Sequence, residues 1–127
     1  MRPEQAATVF EALPVAYRSS YHWMNVGVDP DPQHQHNPWN LLLNYFNEDD
    51  FVVVKLDIDT PHIEHDLADQ LLANPRLLNM IDQFYFEHHV NQHELYGHWG
   101  ATAESVEASF QYFSALRKAG VAAHFWP

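Results

Sequence analysis

The chain contains no cysteine. Disulfides, thiolate metal centres and a cysteine nucleophile are therefore excluded, while the compartment stays open. Basic residues are scarce as well: 6 Lys and Arg stand against 17 Asp and Glu, for a formal charge of −11. That balance repels phosphate backbones and anionic membrane surfaces, and no basic stripe follows any predicted helix. Nucleic acid is not an expected partner. Of the four glycines, Gly27, Gly97, Gly100 and Gly120, none forms a phosphate- or cofactor-cradling loop. No G-x-S-x-G, P-loop, H-E-x-x-H or G-x-G-x-x-G pattern occurs. No apolar run nears the roughly 20 residues of a membrane span, and no signal-peptide h-region opens the chain. The default address on this reading is the cytoplasm.

What remains is a chain able to pack. Its 127 residues are 46% hydrophobic and 14% aromatic, enough for one core and one domain spanning residues 1–127. An amino-terminal helix and connector over residues 1–20 should lead into a sheet core over 21–127. Pro3 suits a first helical turn, with Ala6, Val9, Phe10 and Leu13 on one face. Tyr21 to Val28 reads as a strand, with Met24, Val26 and Val28 alternating. Asn37-Pro38 and Thr60-Pro61 read as cap-plus-proline helix starts, the second helix ending near Asn74-Pro75.

Phe51 to Ile58 is almost continuously apolar, as in a strand buried on both faces. Ile81 to Val90 is a third strand, and Asn91 to Ala101 a loop. Thr102 caps a long helix striped by Val106, Phe110, Phe113 and Leu116, with Gly120 as its C′ residue. Val121 to Trp126 makes a last strand. Strands separated by helices predict an α/β, Rossmann-like fold: a mostly parallel sheet of about four strands, with helices on its faces.

In such a sheet ligands bind beyond the carboxyl ends of the strands. Asn25, Asp29, Asp57, Asp59, Glu87 and His89 fall there. Asp57 and Asp59, two apart in a strand, should share a face and repel unless a cation or a shifted pKa relieves them. A divalent metal held by Asp57, Asp59 and His89 is one answer; ordinary strand-end solvation and a bond to Lys55 is the other. Glu87 and His89 pair a carboxylate with an imidazole that can share a proton. His88, on the face of Phe84 and Phe86, reads as a core histidine, and His62 and His65 as solvated. His34 and His36 belong to a loop. Trp99 and Trp126 flank the same edge, as apolar plugs or as stacking platforms for a flat substrate.

The segment Phe51-Val-Val-Val-Lys-Leu-Asp-Ile-Asp59, with Glu64 soon after, resembles the Lys-x-Asp-x-Glu-Gly-x-Glu signature of FkbM-type methyltransferases. Asp82-Gln-Phe-Tyr-Phe-Glu87-His-His89 is similar to that family's next strand, which commonly ends Glu-x-His. The resemblance runs over about residues 21–126. It departs from the signature where Asp59 replaces Glu and Thr60-Pro61 replaces Gly. It implies the carboxyl-terminal half of a class I fold and S-adenosylmethionine-dependent methyl transfer to a hydroxyl. Asp57, Glu87 and His89 would then be catalytic, and Asn25 would stand near the cofactor. The two opening strands of that fold, with the glycine-rich turn, find no counterpart in residues 1–20, so a partial domain is expected.

Two other readings stand beside it. An apolar strand running into Asp-x-Asp, with a later histidine, also suits a metal-dependent glycosyltransferase-like site. A half sheet with an open edge also suits a non-catalytic module that pairs with a second copy or with a missing amino-terminal half. The acceptor, a small molecule, is not specified by the residues.

Overall fold

Residues 3–91 and 104–126 are described by the computed structural model. In chain order the elements are α1 (Pro3–Ala12), α2 (Val15–Arg18), α3 (Pro38–Tyr45), β1 (Val53–Leu56), α4 (Pro61–Ala73), α5 (Pro75–Met80), β2 (Gln83–Phe86), α6 (Val106–Lys118) and β3 (Ala122–Phe125). Asn-Pro or Thr-Pro opens α3, α4 and α5, because proline's fixed φ suits N1 and its missing N–H is an orphan there anyway. Asn37 caps α3 by accepting the Trp39 N–H at 3.0 Å. Asn74 ends α4 and caps α5, accepting from Arg76 N–H at 3.0 Å and Leu77 N–H at 3.5 Å. Thr60 holds the N-cap position of α4 without a side-chain cap bond. Ser105 caps α6 through Ala108 N–H at 3.0 Å, three residues after the expected Thr102, which lies outside the described residues. Gly120 follows α6 at φ 101, a left-handed position where a side chain would be strained.

The described sheet has three parallel strands in the order β1-β2-β3, not four. Tyr21 to Val28 is irregular backbone, with Met24 63% and Val26 55% exposed. Alternation alone does not make a strand: an isolated run has no ladder partner to satisfy its backbone and no core to take its apolar face. The register pairs Lys55, Tyr85 and His124 in one row and Leu56, Phe86 and Phe125 in the next. Paired rows share a face, so the first row looks one way and the second the other.

Among the described residues, helices cover only the second face. Leu56, Phe84, Phe86 and Ala123 pack with Leu67, Leu71, Leu77, Phe113 and Leu116 in the core. Tyr112 ties α6 to α4 by donating to the Ala68 carbonyl at 2.7 Å, and the Trp39 indole ties α3 to α4 through the Leu67 carbonyl at 2.9 Å. The opposite face is open among the described residues: Val53 is 51% exposed, and Ala122, His124 and Trp126 are exposed too. The expectation of helices on both faces, and of β1 buried on both, is therefore corrected. Within the apolar run Phe51–Ile58, Val53–Leu56 is an edge strand with one side bare among the described residues. Short as it is, α5 was hidden in sequence behind the proline that ends α4.

Candidate functional site

β1 and β2 run side by side in the same direction, so their carboxyl ends meet. Glu87 N–H donates to the Leu56 carbonyl at 3.1 Å and Trp126 N–H to the Phe86 carbonyl at 3.1 Å, extending the ladder one row. That row holds Asp57, Glu87 and Trp126, continuing the bare face. Lys55, two rows back on the same face, places its ammonium 2.5 Å from Asp57 Oδ2 and 4.2 Å from the centre of the Trp126 ring. Trp126 thus serves as a cation–π platform for Lys55.

The two carboxylates are pushed in opposite directions. The bond from Lys55 lowers the Asp57 pKa, aided by bonding to Glu87 and by the charge of His89. Burial raises that of Glu87, and its bond with Asp57 raises it further. A second partner of Glu87 is His89, whose Nε2 lies 3.5 Å from Glu87 Oε2. The His89 side chain is 1% exposed, against 21% for Glu87. A carboxylate held closer to neutrality, against a buried imidazole, can pass a proton between them.

Asp59 reaches the same place by another route. β1 ends at Leu56, and Asp59 adopts φ 54, so strand alternation does not govern it. What shapes this turn is Glu64. Its Oε1 accepts the Ile58 N–H at 2.8 Å, and the residue is 1% exposed. The Thr60 hydroxyl adds a bond to the Ile58 carbonyl at 3.2 Å. Asp59, Glu87 and His89 each offer a ligand atom, all within 4.8 Å of one another. Of the residues expected to hold a metal, Asp59 and His89 belong to this group together with Glu87, while the Asp57 carboxylate pairs with Lys55.

Asn25 does not end a strand; it is exposed in irregular backbone. His65 is half-buried rather than solvated, set edge-on to His88 at 4.8 Å between ring centres. His88 stacks on Phe86 at 4.8 Å and 13°, as the face pattern implied. Burial, then the neighbouring His65 and His89 charges, pushes its pKa down to about 4. Trp99 lies outside the described residues. Glu64 was visible in sequence only as part of the signature; a glutamate one turn into a proline-started helix is the signal for a side chain that reaches back to the preceding turn.

No protein-family model, curated protein or solved structure matches the chain.

Proposed function

We propose that the chain carries the acceptor-activating half of a methyl-transfer site of the class I, S-adenosylmethionine-dependent type, acting on a hydroxyl. The observation that supports this most is the placement of Glu87 and buried His89 beside Asp57 at the ends of adjacent parallel strands. Transfer to oxygen requires removal of the hydroxyl proton at the point where the oxygen is aligned. Glu87 accepts that proton, and His89 behind it orients the carboxylate and shares the charge. Asp57, kept ionised by Lys55, fixes Glu87 from the other side. Paired acids whose environments drive their pKa values apart are the usual sign of divided acid and base roles.

The donor side is different. A Cβ on Gly27 or Gly120 would meet no protein atom within 4 Å, so neither glycine is required by a neighbouring protein group. On this reading the chain's own residues act on the acceptor.

The cluster of Asp59, Glu87 and His89 favours a second reading, a glycosyltransferase-like site holding a divalent cation. Two carboxylates and an imidazole suit Mn²⁺ better than Ca²⁺, which prefers an all-oxygen shell.

Calorimetric titration with S-adenosylhomocysteine and, separately, with Mn²⁺ plus a nucleotide sugar tests both. Saturable heat with the first, weakened in Glu87→Gln, is the result expected. Heat only with the second, lost in Asp59→Asn, selects the cation site. Silence in both titrations overturns both and leaves a binding module.

A further inference from the structure

The two outer strands of the described sheet, β1 and β3, finish its edges differently. Ladder bonds use alternate residues of a strand, so every second residue of an edge strand turns its N–H and C=O outward. On β3, Ala122 N–H and Trp126 N–H donate inward to the Asp82 and Phe86 carbonyls, both at 3.1 Å, so Ala123 faces out. The Ala123 carbonyl accepts from Arg117 Nε at 2.9 Å, and its N–H donates to the Val121 carbonyl at 2.9 Å. The chain itself closes that edge at its centre.

On β1 the Val52 and Leu56 carbonyls accept from Gln83 N–H at 3.2 Å and Glu87 N–H at 3.1 Å, so Val53 and Lys55 face out. Among the described residues, no hydrogen bond reaches their backbone groups. Val53 is 51% exposed, and Phe51 just before it 72%. A lysine on an edge strand ordinarily guards it against pairing. Lys55 does not, because its ammonium is drawn over the bare face to Asp57 and to Trp126, just past the far strand. Two donors and two acceptors thus stand in a row, the pattern that an added strand recognises.

The pattern is also self-complementary. Val53 and Lys55 are symmetric about Val54, so a second β1 running antiparallel about a twofold axis at Val54 sets Val53 against Lys55 of the other copy. All four outward groups of each copy then find partners, and the two lysines stay out of direct opposition. Because Arg117 closes β3, the β1 edge of one copy cannot seat on β3 of another, and pairing stops at two chains.

We propose that β1 is the seam of a homodimer, two copies joined antiparallel through Val53 and Lys55 into one six-stranded sheet. The proposal goes beyond the methyl-transfer reading and does not rest on it. A formal charge of −11 on each copy opposes the approach, so salt should tighten this dimer, whereas an interface held by ion pairs would loosen.

The test is sedimentation velocity of the full chain over rising concentration and salt, with amide hydrogen exchange at both ends of the concentration range. A monomer–dimer equilibrium that strengthens with salt is expected, with the Val53 and Lys55 amides protected only where the dimer prevails. Val53→Pro removes an outward N–H and leaves the ladder to β2 intact, since proline is tolerated at the start of an edge strand. It should raise the dimer dissociation constant about tenfold or more, the loss ordinary for one or two backbone bonds. A monomer at every concentration and salt overturns the proposal, and so does an assembly larger than two. Equally decisive against it is a dimer whose Val53 and Lys55 amides exchange as fast as in the monomer, or one that Val53→Pro leaves unchanged. Should that variant fail to fold, amide exchange in the wild-type chain still decides.

Discussion

Asp57 and Glu87 stand side by side at the ends of two parallel strands, and their surroundings drive them apart: Lys55 holds the first charged, while burial and the first carboxylate push the second toward its protonated form. The asymmetry comes from a single alternation. Lys55 lies two residues before Asp57 and so shares its face, whereas the residue two before Glu87 is Tyr85, which brings no positive charge.

Lys55→Met should therefore raise the Asp57 pKa while keeping an aliphatic stem against Trp126. Carboxyl-detected NMR titration reads this directly. Stability should fall by about 1 kcal/mol or less, since the pair is half-exposed. An unmoved Asp57 titration would show that Lys55 is not its controlling partner.

Acid should weaken the fold through His88. Its folded pKa of about 4 lies below the ordinary 6.5, so folding favours the neutral ring. The stabilisation is complete above 6.5 and is lost as pH falls toward 4, where the unfolded chain binds the extra proton. Glu87 acts in the opposite sense: raised above 4.5, it stabilises the fold below that value and loses its contribution as pH rises through its folded pKa. Comparing urea midpoints at pH 7 and pH 4.5 in wild type and His88→Phe isolates the histidine. The variant should lose less stability on acidification, and parallel losses in the two proteins would contradict the assignment.

Glu64→Ala removes the acceptor of the Ile58 N–H and should cost about 2 kcal/mol in urea unfolding, the usual penalty for a buried bond left half unmade. Glu64→Gln keeps an oxygen at that position and should cost clearly less. If the two variants are equally destabilised, the bond is not what holds the turn.

Asn37→Ala strips three bonds at once: the Trp39 N–H cap, and the donations to Gln70 Oε1 at 3.0 Å and the Pro30 carbonyl at 3.3 Å. Loss of the cap is worth about 1 kcal/mol, and the residue is 2% exposed, so the neighbouring acceptors lose a partner without gaining water. A total near 2 kcal/mol is expected by thermal unfolding. A change below about 0.5 kcal/mol, the range of neutral surface substitutions, would be incompatible with this role.

Much of the architecture was legible because its signals are local. Proline after a capping residue located the starts of α3 and α4, Gly120 located the end of α6, and aromatic alternation placed β2. The meeting of Asp57, Glu87 and His89 followed from parallel pairing alone. What could not be read depends on partners distant in sequence. Met24 and Val26 alternate like strand residues, but no strand among the described residues accepts them. Val53 is as apolar as a core residue yet lies on a side that no helix covers among the described residues. Asp59 left the strand's alternation because Glu64, five residues later, captured the Ile58 amide. His65 looked solvated because its edge-on neighbour, His88, lies 23 positions along the chain.

One consequence lies in how β2 is threaded against β1. Were it displaced by a single residue, Tyr85 and Glu87 would drop beneath the helices while Phe84 and Phe86 rose into water. The aromatic pair that fills the interior and the acid that meets His89 are therefore chosen by one and the same alignment. A chain that has misthreaded cannot keep Glu87 beside His89, and the titration of Glu87 reports on whether the interior has assembled.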